Sequence, residues 1–336
     1  MRKLIAILSV VLLSIQLTSC VEEDSFGNNP MGNFEELWKM IDEQYCFLEY
    51  KEIDWDAIYL KYKKRIYSEM DDNELFEVLA KMLEELKDGH VNLENGVYFS
   101  SYQGWFKEYP ANFQEYILRN YLKQDYHSIA DARYCIIQKD IGYVHFANFS
   151  NTIDNNDIDK ILEYLSSCKG LIIDVRNNGG GSINNANILA SHFTDKKVLT
   201  GYILHKTGKG RNDFSSPKSV FLEPTKGIYW PKQVIVLTNR QTFSAANNFV
   251  NSMKLLPNVT LMGDITGGGS ALPSTSELPN GWTVRFSTSP HLDIYKEHVE
   301  HGIEPDIYQS MSSWHEERGI DSIIENACNL IHQNKN

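Results

Sequence analysis

Ser244 is the residue of this sequence best suited to act as a nucleophile. It lies in the segment Thr238–Asn247, where a predicted buried strand ends and a predicted helix begins. A serine at the start of a helix faces the positive end of the helix dipole, which stabilises an alkoxide or a developing oxyanion. The small Ala245 and Ala246 leave room for a substrate. Serine is also a preferred N-cap residue, so the sequence leaves two roles open for Ser244: nucleophile and helix cap.

A glycine-rich segment, Asp174–Gly181, follows another predicted strand and could bind an oxyanion. Ligands of α/β folds gather at the carboxyl ends of strands, and the backbone amides of successive glycines can hold a negatively charged oxygen. We expect the amides of Gly180 and Ala245 to form such an oxyanion hole, with Gly179 nearly as suitable as Gly180. No Gly-Lys-Ser/Thr sequence follows, which argues against a phosphate-binding loop.

His90 is the candidate base. It ends the short segment Lys87–His90, directly after a predicted helix, and Gly89 supplies the bend expected there. A neutral imidazole can accept a proton near pH 7, although a single histidine in a turn is more often simply solvated. Some 154 positions separate His90 from Ser244. Catalysis by this pair therefore requires the front of the chain to dock onto the rest.

Two hydrophobic patterns predict the elements that position these residues. Apolar residues spaced three and four apart predict a small bundle of three amphipathic helices within residues 33–93. After residue 140, short apolar strands alternate with helical segments, which predicts right-handed βαβ units. The predicted strands are 142–147, 170–176 and 234–238, the predicted helices are 156–167, 184–193 and 244–255, and a hairpin is predicted over 273–289. Residues 94–140 show no pattern that can be assigned.

Composition and charge exclude several classes of protein. The 336 residues are 42% hydrophobic and 23% charged, which is too apolar for a disordered chain. The formal net charge of −12 argues against nucleic acid as a partner, because phosphate binding requires clustered cations. Five cysteines without a Cys-x-x-Cys pair predict neither a zinc ribbon nor a disulfide scaffold. We therefore expect no metal and no cofactor.

The N-terminus predicts export. In residues 1–19, Arg2 and Lys3 precede an apolar run with the shape of a signal peptide. The segment ending at Cys20 resembles the bacterial lipoprotein cleavage box, which implies that Cys20 is lipidated and begins the mature chain. The acidic residues 21–24 resemble the surface-export signal of Bacteroidetes lipoproteins, and residues 20–32 are interpreted as a tether. We expect a lipid-anchored protein of the cell envelope, at the outer membrane and exposed on the surface.

Five motifs occur in an order that resembles the C-terminal-processing (tail-specific) serine peptidases, over about residues 33–310. They are Asp88–His90, Asp174–Gly181, Thr242–Ala246, Gly263–Gly269 and Gly302–Asp306. The resemblance implies a crotonase/ClpP-like α/β peptidase domain over residues 94–336, preceded by the helical bundle over residues 33–93. It also implies a serine-type endopeptidase that cleaves peptides or the C-termini of unfolded proteins and needs no cofactor.

Within that family, the motifs resemble the tricorn-core-like branch, in which a histidine assists the serine. Gly269 stands where the other branch has its catalytic lysine, so a Ser–Lys dyad is absent. The resemblance implies that Ser244 is the nucleophile and His90 the base. It further implies that Glu300, or less suitably Glu304, orients the imidazole, either directly or through water or another residue.

Three other functions stay open from the sequence. The branch has a serine beside its histidine, and Gly89 occupies that position. This departure and the missing lysine motivate the first alternative, an inactive peptide- or ligand-binding lipoprotein on the same scaffold. The glycine loop would also suit an acyl-CoA thioester, although CoA is cytoplasmic. The aromatic residues within 98–106 could form a platform for sugars, the rim of a peptide cleft, or ordinary packing.

Overall fold

A seven-stranded sheet forms the centre of the molecule in the computed structural model, which describes residues 26–333. In spatial order its strands are β14 (Ile307–Tyr308), β10 (Val259–Gly263), β9 (Val234–Thr238), β6 (Gly170–Asp174), β5 (Ile141–Phe146), β4 (Ala132–Ile137) and β3 (His127–Ile129). The pairs from β14 to β5 are parallel, and β4 and β3 are antiparallel. The predicted α/β class is therefore confirmed.

Helices cover both faces of this sheet. One face packs against α6 (Asn155–Tyr164), α7 (Ile183–Ser191) and α8 (Ala245–Met253). The opposite face packs against α5 (Glu115–Leu122) and α10 (Ser322–Gln333). Residues along the central strands β5, β6 and β9 are buried throughout, because successive side chains point alternately to the two covered faces. The continuous apolar runs in the sequence reflect this double burial.

Three helices form the front of the chain: α1 (Pro30–Gln44), α2 (Trp55–Lys63) and α3 (Asp72–Glu84). The first begins at Pro30, inside the segment predicted as a tether and before the predicted start at residue 33. The Asn29 side chain accepts a hydrogen bond from the Gly32 amide, and proline is well suited to the first helical turn because it has no N–H to satisfy. These two residues account for the earlier start.

A four-stranded sheet joins the helical front to the rest of the molecule. Its order is β11 (Leu272–Glu277), β12 (Thr283–Ser289), β1 (Asn92–Glu94) and β2 (Phe99–Ser101), and β11–β12 is the predicted hairpin. Because β1 pairs with β12, the chain just after the helices is hydrogen-bonded to a strand near residue 285. The apolar sides of the three helices and of this sheet form one shared core. The predicted boundary between residues 93 and 94 therefore falls within a continuous packing unit.

The remaining elements are short. A third sheet has the order β13 (His291–Leu292), β7 (Val198–Ile203) and β8 (Lys218–Leu222). Two helices of four residues each complete the list, α4 (Gly104–Lys107) and α9 (Ser313–Glu316). The segment 94–140, which carried no assignable sequence pattern, contributes β2, α4, α5, β3 and β4. Across residues 26–333, the helices are all too short or too polar to cross a bilayer.

Candidate active site

Ser244 occupies a strained turn between β9 and α8. Its backbone has φ 58° and ψ −122°, a sparsely populated conformation for a residue with a side chain. Its amide donates a hydrogen bond to the Gly268 carbonyl at 2.9 Å, which holds the turn in place. Although Ser244 stands at the N-cap position of α8, its hydroxyl makes no capping hydrogen bond. The cap role left open by the sequence is thus not the one its side chain takes.

The Ser244 hydroxyl faces His90. The distance between Ser244 Oγ and His90 Nε2 is 3.0 Å, which is hydrogen-bond distance. The imidazole is buried and lies against the Phe243 ring, with centroids 4.8 Å apart. Burial lowers the pKa of His90 to about 4. At neutral pH the ring is therefore uncharged and can accept a proton from the hydroxyl.

Asp88 holds the turn that carries His90. One of its carboxylate oxygens accepts the His90 backbone N–H at 2.8 Å, and the other accepts the hydroxyls of Tyr45 and Ser287. Burial opposes ionisation of Asp88, but Lys51 at 3.6 Å and these donors outweigh it, so its pKa is lowered. The position of His90 thus depends on an ionised carboxylate that is held by Tyr45 and Lys51, between α1 and α2, and by Ser287 of β12.

Glu300 makes no direct hydrogen bond to the imidazole in the described structure. Its Oε1 accepts a hydrogen bond from Lys51 at 3.2 Å, and its Oε2 has no hydrogen-bond partner among the described protein atoms. His90 Nδ1 likewise has none among them. Burial, followed by the charge of Asp88, raises the pKa of Glu300 to about 8. Lys51 therefore faces two buried carboxyl groups, of which Asp88 is ionised at neutral pH and Glu300 keeps its proton.

The glycine loop is anchored by a buried ion pair at its base. Arg176 contacts Asp174 at 2.6 Å and Asp321 at 2.9 Å, and all three side chains are almost completely buried. Arg176 also donates to the Asn112 carbonyl. Because these three charged groups are paired with one another and buried, they position the loop and do not present their charges to a substrate.

The tip of the glycine loop lies directly beside Ser244. A Cβ atom added to Gly180, whose φ is +100°, would stand 2.7 Å from Ser244 Cβ and 3.0 Å from the Ala245 nitrogen. The predicted Gly180 amide, however, already donates to Asn178 Oδ1 at 2.9 Å, because the Asn178 side chain folds back over its own turn. Among the described residues, neither the amide of Gly179 nor that of Ala245 has an acceptor. The amide of Ala245, the residue after Ser244, is therefore free, and so is that of the predicted alternative Gly179, at an exposed position of the glycine loop.

Aromatic rings fill the two positions at which the sequence departs from the family pattern. A Cβ at Gly89 would lie 2.5 Å from the Trp105 indole nitrogen, and a Cβ at Gly269 would lie 2.1 Å from the Phe243 ring. Trp105 stacks on Phe243, with centroids 4.2 Å apart. With the two rings in these positions, a side chain at Gly89 or Gly269 would require an aromatic ring to move.

The structure thus brings Ser244, His90, Gly180 and Ala245 together. Glu300 is connected to this group only through Lys51, which contacts both Glu300 and Asp88. Sequence reasoning missed Lys51, whose side chain is only 7% exposed and links the helical front to Glu300. It also missed the Asn178 side chain. Cys20 lies outside the described residues. Within residues 26–333 there is no cluster of three or more His, Cys, Asp or Glu able to hold a metal ion.

Comparison with protein-family models gives two matches. Residues 140–309, half of the chain, match the model of peptidase family S41. Residues 26–84, which contain the three front helices, match the model of the tricorn protease C1 domain.

Individual proteins agree with these matches. The chain is 28% identical over 170 residues to the carboxy-terminal processing protease CtpA of Bacillus subtilis (strain 168); the match covers 50% of this chain and 34% of that protein. The chain therefore spans about a third of the length of the curated relatives it matches. Among solved structures, a protein from Parabacteroides merdae ATCC 43184 is 47% identical, with a TM-score of 0.87 and coverage of 91% of this chain and 97% of the other. Mature CPAF has the same fold at 14% identity, with a TM-score of 0.69 and coverage of 92% and 98%.

Proposed function

The chain belongs to peptidase family S41, and on that premise we propose that it is a serine peptidase with Ser244 as nucleophile and His90 as base. The observation that carries the proposal is the 3.0 Å distance between Ser244 Oγ and His90 Nε2. The strained backbone of Ser244 supports it, because such conformations cluster at functional sites. A serine that only capped its helix would direct its hydroxyl to the amides of α8.

The chemistry follows from this geometry. Ser244 Oγ attacks the carbonyl carbon of the scissile peptide bond while its proton passes to His90 Nε2. The tetrahedral intermediate collapses when the imidazolium gives that proton to the departing amine, which leaves an ester on Ser244. A water molecule then repeats the sequence, losing its proton to His90, and the ester bond breaks to return the Ser244 hydroxyl and release an acid.

The oxyanion of the intermediate requires donors beside the serine. The Ala245 amide is one, and its place at the first turn of α8 adds the positive end of the helix dipole. The second comes from the glycine loop. Gly179 has a free amide in an open position, and Gly180 could donate after release from Asn178. Losing one such donor typically costs on the order of 10²–10³ in rate.

The orienting group for the imidazole is proposed to be the Asp88–Lys51–Glu300 network as a whole. Asp88 fixes the backbone of His90, and Lys51 bridges Asp88 to Glu300. Glu300 then acts on the imidazole through these two residues and not by direct contact. This arrangement keeps a role for the carboxyl group that the family resemblance implied.

The proposed substrates are peptides or unfolded proteins, cleaved near a free C-terminus. The name of the Bacillus subtilis relative supports carboxy-terminal processing. The proposed location is the cell envelope, through a lipid on Cys20, at the outer membrane and on the cell surface. Metabolic labelling of the full chain with a radioactive fatty acid tests the anchor, since Cys20→Ala should abolish the label. Protease treatment of intact cells tests surface exposure.

Turnover of quenched fluorescent peptides by the purified full chain tests the enzyme function. Each peptide is prepared with a free and with an amidated C-terminus, and we expect faster cleavage of the free form. Ser244→Ala should abolish cleavage, whereas Ser274→Ala, a surface serine on β11, should leave it unchanged. If Ser244→Ala cleaves as fast as the parent, the assignment fails. If neither the parent nor the variants cleave peptides that they bind, the inactive binding protein is the better description.

A further inference from the structure

The tip of the hairpin between β1 and β2 exposes three consecutive large apolar residues. Val97 is 80% exposed, Tyr98 47% and Phe99 65%. Single exposed apolar residues are common on protein surfaces. Within residues 26–333, however, no other run of three consecutive large hydrophobic residues is exposed. The proposed catalysis uses none of these three side chains.

Hydrogen bonds hold this tip in one shape. The Asn95 side chain accepts the backbone N–H groups of Val97 and Tyr98 at 3.0 and 2.7 Å. The Asn95 amide in turn donates to the Tyr98 carbonyl at 3.2 Å. Gly96 follows with φ +82°, a conformation that favours glycine. The exposure of Val97 is therefore a property of the folded turn and not of a loose loop.

The start of the described chain lies at the same end of the molecule. Because β1 pairs antiparallel with both β2 and β12, the β1–β2 tip and the β11–β12 turn lie at one end of the four-stranded sheet. In that turn, the Asn280 amide donates to the Asn33 side chain of α1 at 3.0 Å. Phe26, the first described residue, lines a surface depression together with residues 277–279. The chain thus enters the fold beside the β11–β12 turn.

Phe76 of α3 joins the two turns. Its ring lies 5.7 Å from that of Tyr98 and 5.6 Å from that of Trp282, measured between centroids. The tip, the β11–β12 turn and the start of α1 therefore form one end surface. We call it the tip face and define it by residues 26–33, 95–99 and 279–282.

The proposed anchor brings the tip face to a lipid surface. Cys20 precedes Phe26 by six residues, and six residues span at most about 22 Å when fully extended. A lipid on Cys20 therefore keeps the start of the described chain within that distance of the bilayer. The other end of the four-stranded sheet has no such tie to the anchor.

We propose that the tip face rests on the bilayer that holds the lipid of Cys20, with the three apolar residues of the tip inserted among the headgroups. The inference rests on the proposed anchor and adds the orientation of the enzyme on the membrane. Apolar side chains gain free energy by leaving water, and tyrosine is frequent at the depth of the headgroups. Glu94 and Glu277 are exposed in the last row of the sheet and favour zwitterionic over anionic headgroups.

This orientation places the active site close to the bilayer. His90 precedes Asn95 of the tip by five residues, which span at most about 18 Å. Ser244 Oγ lies 3.0 Å from His90 Nε2. The proposed cleavage then occurs near the membrane surface, where the exposed chain ends of membrane-associated proteins are within reach.

Site-specific fluorescence in the lipid-modified full chain tests the orientation. Val97→Cys carries a polarity-sensitive label, and Tyr295→Cys is the matched control, since Tyr295 is 78% exposed and follows the opposite end of β12 in the chain. Cys46, Cys135, Cys168 and Cys328 are buried, so the label reacts with the introduced thiol. The chains are reconstituted into vesicles of phosphatidylethanolamine and phosphatidylcholine that contain a lipid with a nitroxide near its headgroup. We expect the nitroxide to quench the label at position 97 at least fivefold more strongly than the label at position 295.

A further variant tests the apolar contact itself. Phe99→Ser in the chain labelled at position 97 should lower the quenching at least twofold, because less apolar surface enters the bilayer. Equal quenching at positions 97 and 295, or none at either in chains that sediment with the vesicles, overturns the orientation. A label at position 97 that is shielded without vesicles, in a chain with the mass of a dimer, assigns the tip face to a second copy and also overturns it.

The same samples separate this inference from the other proposals. A chain that stays in the supernatant contradicts the lipid anchor and, with it, the orientation. Peptide cleavage that depends on Ser244 is measured in the same chains and decides the peptidase proposal independently of where the label lies.

Discussion

Replacing Glu300 by Gln should make the stability of the protein depend less on pH. In the folded chain Glu300 has a pKa raised to about 8, first by burial and then by Asp88. In the unfolded chain a glutamate titrates at about 4.3. Between these two values the folded state holds a proton that the unfolded state has lost, so the stability of the wild type falls as pH rises. Glutamine does not titrate and removes this slope.

The size of the effect follows from linkage. The difference in unfolding free energy, Glu300→Gln minus wild type, should grow by about 1.4 kcal/mol per pH unit between pH 5 and 7.5. From pH 5.5 to 7.5 the growth is about 2.5 kcal/mol, and the difference should level off above pH 8. Any constant gain or loss from the hydrogen bond to Lys51 cancels in this comparison of two pH values.

Urea denaturation at five pH values measures this difference. Glu304→Gln, an exposed residue of the same segment, controls for the removal of one surface carboxylate. In the contrary case, the difference in unfolding free energy stays constant to within about 0.5 kcal/mol between pH 5.5 and 7.5, or grows as pH falls. Either result would refute the claim that Glu300 is protonated in the folded chain and that Lys51 pairs first with Asp88.

Three further predictions concern the base, the loop anchor and the glycine at the serine. Because burial lowers the pKa of His90 to about 4, peptide cleavage should persist in mild acid. In a plot of kcat/KM against pH, activity should fall by half near pH 4; a fall centred near pH 6.5 would contradict the assignment of His90 as the base. Arg176→Met leaves two buried carboxylates unpaired and should cost about 3–5 kcal/mol in urea denaturation, whereas the exposed Lys160→Met should cost less than about 1 kcal/mol. Gly180→Ala should lower both the Tm and kcat/KM, the latter at least a hundredfold, because its Cβ would press on Ser244 and cover the Ala245 amide. Gly179→Ala, whose Cβ meets nothing within 4 Å, should leave the Tm nearly unchanged; equal shifts in Tm for the two variants would disprove this prediction.

Much of the fold was predictable because local patterns in the sequence mark its elements. The strand Val234–Thr238 and the hairpin β11–β12 were predicted almost to the residue, since apolar runs and turn residues are local signals. The segment 94–140 could not be assigned because two of its three strands have only three residues and its first helix only four. Such elements form through their neighbours and carry little periodicity of their own.

Some residues of the candidate site were likewise marked by the sequence, and others were not. The motifs around Ser244 and His90 marked two residues that the fold brings to hydrogen-bond distance across 154 positions. Lys51 carried no signal, because a lone lysine in a loop is normally solvated and its partner Glu300 lies 249 residues away. The Asn178 side chain was equally hidden, since its bond to the Gly180 amide depends on how one turn folds back.

Covalent labelling of the purified full chain tests the central claim most directly. A peptidyl diphenyl phosphonate reacts with a hydroxyl only when a neighbouring base removes its proton, and it leaves a stable phosphonyl ester. The account predicts one adduct by intact mass, located on Ser244 by peptide mapping, absent in Ser244→Ala and at least a hundredfold slower to form in His90→Gln. An adduct on another residue, or peptide cleavage that survives in Ser244→Ala, would contradict it.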